Sequence, residues 1–152
     1  MTPKTVTIGN VQFANDKPLA LIAGPCVMES RDHALMMATA LKKITTELGI
    51  GFVFKTSFDK ANRTSKDSFR GIDFADCISV FNEIVLDFKI PCITDVHEPR
   101  QSWNLSNFVN AIQIPALLCR QTDLIIAAGK TGLPVNIKKG QFMAPEDMQN
   151  VI

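Results

Sequence analysis

Short apolar runs alternate with longer stretches whose apolar residues recur every three to four positions, and this alternation most constrains the fold. The runs that predict strands are 19–23, 52–54, 90–93, 111–114 and 135–137. The stretches that predict helices are 35–48, 74–88, a short one after Pro99, 122–129 and one that opens at Pro145. Strands that alternate with helices in this way favour an α/β architecture with a parallel sheet.

Local signals mark several boundaries of these elements. Ser30 is predicted to cap the first helix, and Gly49 is predicted to end it. Thr122 is predicted to cap the helix that runs to about Gly129. The run 19–23 is continuously apolar and predicts a strand buried on both faces, and Trp103 is predicted to belong to the core.

The number of these units predicts a partial barrel. A closed (β/α)8 TIM barrel takes roughly 250 residues, whereas this chain has 152 and stops inside its last helical pattern. We therefore predict one partial TIM-barrel domain over 1–152, with an N-terminal β-hairpin in 1–14 and about five β/α units in 19–152. The alternative is a complete five-stranded flavodoxin-like sheet, which would require a phosphate loop or an acidic pocket after its first strand.

Composition excludes several classes of function. Hydrophobic residues make up 46% of the chain and charged residues 20%, with a net charge of +1, so no global field indicates binding to nucleic acid or to a membrane surface. The first ten residues lack the apolar segment of a signal peptide. The cysteines at 26, 77, 92 and 119 include no C-x-x-C pair, which argues against a zinc ribbon and favours a cytoplasmic location.

Polar and cationic side chains follow every predicted strand. In chain order they are Cys26; Lys55, Ser57 and Lys60; Asp95 and His97; Gln113 and Arg120; Lys138 and Lys139. In a β/α barrel all these positions lie at the C-terminal face, where active sites are found. Cations that several segments bring to one rim predict a pocket for a multiply charged anion, with phosphate and carboxylate as the obvious groups.

Each of these residues also has a structural interpretation. Lys55 alone would be a strand-end lysine that reaches solvent, and 95–99 could be a solvated turn that enters a helix. Gln113 could satisfy a hydrogen bond in the core, and Cys26 could be a small packed residue. The functional interpretation is favoured because the residues agree on one rim.

Five segments resemble, in order, the 3-deoxy-D-manno-octulosonate 8-phosphate synthases. The signature loop of that family is similar to 55–65, KTSFDKANRTS. The other segments are 23–30 (AGPCVMES), 93–99 (ITDVHEP), 112–124 (IQIPALLCRQTDL) and 130–142 (KTGLPVNIKKGQF). The related DAHP-type synthases of the shikimate pathway share the barrel and the phosphoenolpyruvate pocket but typically have Pro where Ala61-Asn62 stand.

The resemblance implies a cytoplasmic, homotetrameric transferase of lipopolysaccharide precursor biosynthesis. It would condense phosphoenolpyruvate with D-arabinose 5-phosphate in an aldol-type reaction that releases phosphate. The implied carboxylate-binding residues are Lys55, Ser57, Lys60 and Gln113, and the implied phosphate-binding groups are Lys138 and the backbone near Ala116. Asn62, Arg63 and Thr64 would hold the sugar phosphate, Asp95 its hydroxyls, and Arg120 would reach a neighbouring subunit's site. Lys138, Asp95 and Lys60 are the implied catalytic residues.

The resemblance also implies a divalent metal, because members of the family with Cys at position 26 are metal-dependent. The other three ligands in the family, a His, a Glu and an Asp, lie on later strands and have no counterpart in this sequence, and His97 corresponds to a position beside the substrate. Three alternatives therefore stand beside an active synthase: an inactive truncated fragment of it, a DAHP-type synthase, and a phosphosugar-binding module without chemistry.

Overall fold

A computed structural model of the chain describes residues 4–61 and 65–152, and in it a small hairpin precedes a five-stranded parallel sheet. The antiparallel hairpin consists of β1 (Val6–Ile8) and β2 (Val11–Phe13). The strands of the parallel sheet are β3 (Ala20–Ala23), β4 (Gly51–Lys55), β5 (Cys92–Asp95), β6 (Ala111–Ile114) and β7 (Val135–Ile137). Their order in the sheet is the order in the chain, with β3 and β7 at the edges.

This strand order decides between the two predicted folds. A flavodoxin-like sheet has the order 2-1-3-4-5, because its chain reverses direction across the sheet. Here every strand pairs in parallel with the next one along the chain, as the strands of a (β/α)8 barrel do. The sheet with its helices is therefore a partial TIM barrel, as predicted, and the flavodoxin-like alternative is wrong.

Helices cover the outer face of the sheet. They are α1 (Arg31–Glu47), α2 (Phe74–Leu86), α3 (Pro99–Leu105) and α4 (Thr122–Lys130), with short 3₁₀ helices at Ala116–Leu118 and Pro145–Asn150. Ser30 caps α1 as predicted, since its hydroxyl accepts from the backbone N–H of His33 at 3.1 Å. None of the helices within the described ranges is long and apolar enough to cross a bilayer.

Two apolar layers hold the sheet in place. On the helix side the main core includes Phe54, Phe81 and Ile112, all fully buried. A smaller cluster joins the hairpin to the inner face of the sheet, and its buried members are Ile8, Val11, Val53, Ile93 and Ala111. Burial of Ile8 and Val11 against the sheet stabilises the fold by about 1.5–3 kcal/mol for each side chain, and this holds the hairpin on the barrel.

The hairpin lies where the strands begin. A Cβ on Gly51, the first residue of β4, would be 2.9 Å from Cγ1 of Val11. A Cβ on Gly9 would be 2.7 Å from Cβ of Pro91, just before β5. The carboxyl ends of the strands are thus left free of the hairpin, and the polar residues at those ends can form a site.

Three predicted strands differ from the observed ones, and β4 differs from 52–54 by only one residue at each end. The third strand is Cys92–Asp95 and not 90–93, because Pro91 has no N–H for the ladder, and Asp95 becomes its last residue. The first strand begins at Ala20 and is not buried on both faces, since Leu21 is 36% exposed on this edge strand.

Three helix predictions were also wrong in detail. Thr122 is the first residue of α4, and the cap position belongs to Gln121, which makes no side-chain capping bond. Trp103 is 51% exposed because the short helix α3 turns Ser102 and Leu105 inward instead. The segment that Pro145 opens is a 3₁₀ helix and not an α-helix.

Candidate anion-binding site

The carboxyl ends of β4 to β7 gather polar side chains on the inner face of the sheet. Lys55 and Asp95 are the last residues of β4 and β5. Asp95 pairs in register with Gln113 of β6, which pairs with Asn136 of β7. Adjacent strands lie about 4.8 Å apart, so side chains on the same face of paired residues reach each other.

A hydroxyl and a carboxylate hold two lysines together at the β4 end. Lys55 Nζ donates to Ser57 Oγ at 2.8 Å and to Asp95 Oδ2 at 3.2 Å. Lys60 Nζ donates to the same Ser57 Oγ at 2.9 Å, and the Ser57 hydroxyl donates to Asp95 Oδ2. Two cations are therefore linked to one carboxylate.

An amide chain continues the network across the next two strands. The side-chain amide nitrogen of Gln113 donates to Asp95 Oδ1. The carbonyl oxygen of Gln113 accepts from Asn136 Nδ2 at 2.9 Å. The four-strand network thus joins Lys55, Ser57, Asp95 and Gln113, as the sequence predicted, and adds Asn136, which sequence reasoning did not assign to the site.

The charges in this network are unequally compensated. Burial lowers the pKa of Lys55, and repulsion by Lys60 lowers it further, although attraction by Asp95 opposes both. Burial would raise the pKa of Asp95, but the Lys55 ammonium and hydrogen bonds from Ser57 and Gln113 bring it below its usual range. Asp95 is therefore an ionised acceptor at neutral pH, and the lysine pair carries positive charge that an anion would relieve.

A cavity of about 940 Å³ opens beside the network. Its lining residues are Lys60, Ala61, Asp95, His97, Pro115, Ala116, Leu117, Leu118, Lys138, Gln141 and Phe142. This volume lies within the range typical of small-molecule sites, roughly 300–1,000 Å³. Lys60 and Lys138 come from segments far apart in the chain and line the same cavity, so these two of the predicted cations meet at one rim.

Two backbone segments form the wall near Lys138. Gly140 is buried, and a Cβ there would be 2.7 Å from the Phe142 ring and 3.1 Å from the carbonyl oxygen of Ala116. The loops after β6 and β7 therefore pack tightly together. Ala116, implied as a phosphate neighbour, lies in this wall.

His97, which the sequence placed on the same rim without a role in binding, also lines the cavity. Its ring lies 5.8 Å from the Phe58 ring in an edge contact, and its buried Nδ1 has no hydrogen-bond partner among the described residues. Burial lowers its pKa, against the attraction of Asp95 and Asp59, which keeps the imidazole neutral at pH 7. A neutral imidazole can donate or accept one hydrogen bond inside the cavity.

An ion pair anchors the segment that carries Lys60. Arg70 Nε donates to Asp59 Oδ1 at 2.8 Å, and its hydrogen bond lowers the pKa of that carboxyl. The Lys60 backbone N–H donates to the Arg70 carbonyl at 2.8 Å. These contacts fix the backbone of Lys60 before any ligand binds.

Some predicted residues lie elsewhere. Arg120 is exposed and lines a different cavity of about 620 Å³ together with Cys119 and Met143. Lys139 is tied to the carbonyls of Gly140 and Met143 at 2.9 and 3.0 Å. Asn62, Arg63 and Thr64, predicted to hold a sugar phosphate, lie outside the described residues.

Cys26 stands at the same end of the sheet but does not complete a metal site. It is exposed, and the following residue Val27 forms a parallel bridge with Ser57. Within 4–61 and 65–152, no group of three or more His, Cys, Asp or Glu could hold a metal ion. One thiolate alone does not fit a divalent metal that takes three or four protein ligands, so Cys26 as a ligand stays a prediction.

Comparison with known proteins gives two findings. A sequence profile of the DAHP synthetase I family matches residues 2–152. The chain is 56% identical over 147 residues to a 2-dehydro-3-deoxyphosphooctonate aldolase of Bartonella tribocorum. It is 55% identical over 148 residues to proteins of that name in Brucella ovis and Brucella abortus. Each alignment covers 97% of this chain and 53% of the relative, so the chain spans about half the length of these curated relatives.

Proposed function

Because the chain belongs to the DAHP synthetase I family, we propose that the protein condenses phosphoenolpyruvate with D-arabinose 5-phosphate. The products are 3-deoxy-D-manno-octulosonate 8-phosphate and inorganic phosphate. The name shared by the relatives supports this substrate pair over that of a DAHP-type synthase. The observation that carries the proposal is the cavity beside Lys55, Lys60 and Lys138, which suits an acid with a carboxylate and a phosphate.

The cations and the carboxylate have different roles in this proposal. Lys55, Ser57, Lys60 and Gln113 bind the phosphoenolpyruvate carboxylate. Lys138 and the backbone N–H near Ala116 bind its phosphate. Asp95 accepts hydrogen bonds from hydroxyls of the sugar, and Asn62, Arg63 and Thr64 hold the sugar phosphate. Lys60, Asp95 and Lys138 are the residues we propose as catalytic.

Charge compensation is the main contribution of these residues to the reaction. Two anionic substrates repel each other, and fixed ammonium groups in a partly desolvated cavity cancel that repulsion without reorganisation. The cavity then holds the enol carbon of phosphoenolpyruvate against the aldehyde carbon, where the new C–C bond forms. Water adds to the former enol carbon bearing oxygen, and phosphate leaves.

Calorimetric titration of phosphoenolpyruvate into the 152-residue chain tests the site. We expect binding that weakens at least about tenfold in Lys60→Ala and in Lys138→Ala, since each removes a charge-assisted contact. Lys130→Ala, which removes an exposed lysine at the end of α4, is the matched control and should bind as the parent does. Unchanged affinity in both cavity variants would contradict the proposal.

Binding without turnover is the second candidate function. It is favoured by the alignment, since the chain spans about half the length of its relatives. A phosphate-release assay with both substrates and added divalent metal separates the candidates. Phosphate release supports the synthase, and binding without release supports an anion-binding module.

We further propose a cytoplasmic homo-oligomer in which Arg120 reaches a neighbouring subunit. The exposure of Arg120 outside the main cavity and the four free cysteines, three of them buried, support these points. We also propose Cys26 as one ligand of a divalent metal, and no step of the reaction is assigned to that metal. Cobalt(II) titration tests the ligand, since a thiolate charge-transfer band should appear and be lost in Cys26→Ser.

A further inference from the structure

Asn136 is the outermost of three side chains that form a row across β5, β6 and β7. Asp95 pairs in register with Gln113, and Gln113 pairs with Asn136. Asn136 is the only polar residue of its strand, Val135–Ile137, and its side chain is exposed on the edge strand. Burial therefore does not explain why an amide stands at this position. The hydrogen bond from Asn136 to Gln113 does explain it.

The direction of the hydrogen bonds in this row follows from chemistry. An ionised carboxylate can only accept, so Gln113 must turn its NH₂ group toward Asp95. Its carbonyl oxygen then faces β7, where Asn136 Nδ2 donates to it at 2.9 Å. A donor at position 136 and an acceptor at position 95 thus impose the same orientation on one amide.

This orientation decides what Gln113 offers to a ligand. Its side-chain nitrogen has two protons, and Asp95 takes one of them. Among the described residues the second proton has no acceptor, and Gln113 lies beside Asp95, which lines the cavity, so an anion bound next to Asp95 could accept this proton. With the amide reversed, a carbonyl oxygen would take the place of this donor and would repel the same anion.

We propose that Asn136 is a positioning residue: Asp95 selects the orientation of the Gln113 amide, and the hydrogen bond from Asn136 holds the amide there, so that the site presents a donor to an anionic ligand. The identity of that ligand as phosphoenolpyruvate rests on the proposed function, but the orientation itself does not. Asn136 need not touch the ligand to act in this way.

A double-mutant cycle tests the orientation without any ligand. Asn136→Asp removes the donor, so Gln113 cannot satisfy two carboxylates at once. Asp95→Asn removes the charge that selects this orientation and leaves the Lys55 ammonium without its carboxylate. Together the two substitutions keep the net charge and reverse the direction of both hydrogen bonds. The new amide at position 95 donates to the Gln113 oxygen, and the Gln113 nitrogen donates to the new carboxylate at position 136.

We expect both single variants to lower the urea midpoint and the double variant to recover most of the loss caused by Asn136→Asp, whereas the loss of the Lys55–Asp95 ion pair remains. Additive losses would overturn the proposal, because an exposed residue without influence on Gln113 cannot compensate a change at position 95. Asn136→Ala should lower the midpoint less than Asn136→Asp, since it leaves Gln113 free to face Asp95.

A binding measurement tests the consequence for the site. Phosphoenolpyruvate affinity should fall at least about tenfold more in Asn136→Asp than in Gln141→Glu, which adds the same charge to the cavity without a bond to Gln113. Equal losses would mean that charge alone acts and would overturn the positioning role. If the parent chain binds no phosphoenolpyruvate, the proposed function fails, and the urea cycle still decides the orientation.

Discussion

Lys55 Nζ lies 3.2 Å from Asp95 Oδ2, with the two side chains only 18% and 9% exposed, although the residues are 40 positions apart in the chain. Adjacent parallel strands bring the two side chains together, and Ser57 forms hydrogen bonds with both of them. A second lysine, Lys60, donates a hydrogen bond to the same Ser57 hydroxyl. This pair is the structural basis of the site.

Lys55→Met should destabilise the fold at pH 7 by about 1–3 kcal/mol, because it leaves the Asp95 carboxylate buried without its cation. In the parent the pKa of Asp95 is lower in the folded state than in the unfolded state. The stability that its ionised form contributes is therefore present above the unfolded-state pKa of about 3.9 and is lost as pH falls through the folded-state pKa. The difference between parent and variant should therefore shrink below about pH 4. Urea unfolding at both pH values measures this. Lys43→Met, an exposed lysine of α1, is the control, and an equal effect there would contradict the prediction.

Stability should fall as pH drops through the window just below about 6.5, the ordinary pKa of histidine, because His97 is harder to protonate when folded. In that window the unfolded chain binds more protons than the folded chain, so stability rises with pH. His97→Gln should flatten this part of the profile. Urea midpoints between about pH 5 and about pH 7.5 give the profile, and an NMR titration of the His97 ring that places its pKa above the ordinary value would refute the prediction.

Gly24→Ala should cost on the order of 2–4 kcal/mol, because its Cβ would lie 2.0 Å from the backbone oxygen of Lys55. The end of β4 would have to move, and the Lys55 side chain with it, so phosphoenolpyruvate binding should weaken too. Gly129→Ala in α4 is the matched control, since nothing lies within 4 Å of its Cβ. Removing a helical glycine should stabilise the protein by about 0.5–1 kcal/mol. Thermal unfolding should therefore show a lower midpoint for Gly24→Ala and a higher midpoint for Gly129→Ala.

Arg70→Ala should change stability little, because the arginine is largely exposed and an exposed ion pair contributes little to stability. It should weaken phosphoenolpyruvate binding more noticeably, about threefold to tenfold, since the Asp59–Arg70 pair anchors the backbone of Lys60. Arg31→Ala breaks a similar surface pair with Glu83 between α1 and α2, away from the cavity. Parallel calorimetry and unfolding should give equal stability losses for the two variants and a binding loss only for Arg70→Ala.

Local signals predicted most of the fold correctly. The cap at Ser30 and the strand 111–114 depend on neighbours in the sequence, and both were found as predicted. The misplaced third strand depended on Pro91, whose missing N–H shifts the ladder by two residues. Trp103 was misjudged because the face that a seven-residue helix buries is set by the helices beside it.

The sequence predicted side chains at or just after the ends of the strands and missed Asn136, which is the middle residue of its strand. Asn136 finds Gln113 across 23 positions, and no pattern in the short strand VNI indicates that bond. Lys138 and Lys139 looked equivalent in the sequence, but adjacent residues after a strand point in different directions, and only Lys138 lines the main cavity. Arg120 follows the strand that bears Gln113, yet the 3₁₀ turn after that strand carries it away from the main cavity.

The hydrogen-bonded network draws only on β4 to β7, which are consecutive in the chain and adjacent in the sheet. Each crossover places its strand beside the preceding one. A nascent chain can therefore add the lysine pair, the Asp95 carboxylate and the two amides to the network in their order of synthesis. The hydrophobic layer beneath α2 to α4 is laid down in the same sequence and offsets the desolvation of those groups as they arrive. In this order the ammonium groups wait only for the next strand of the sheet, which brings the carboxylate.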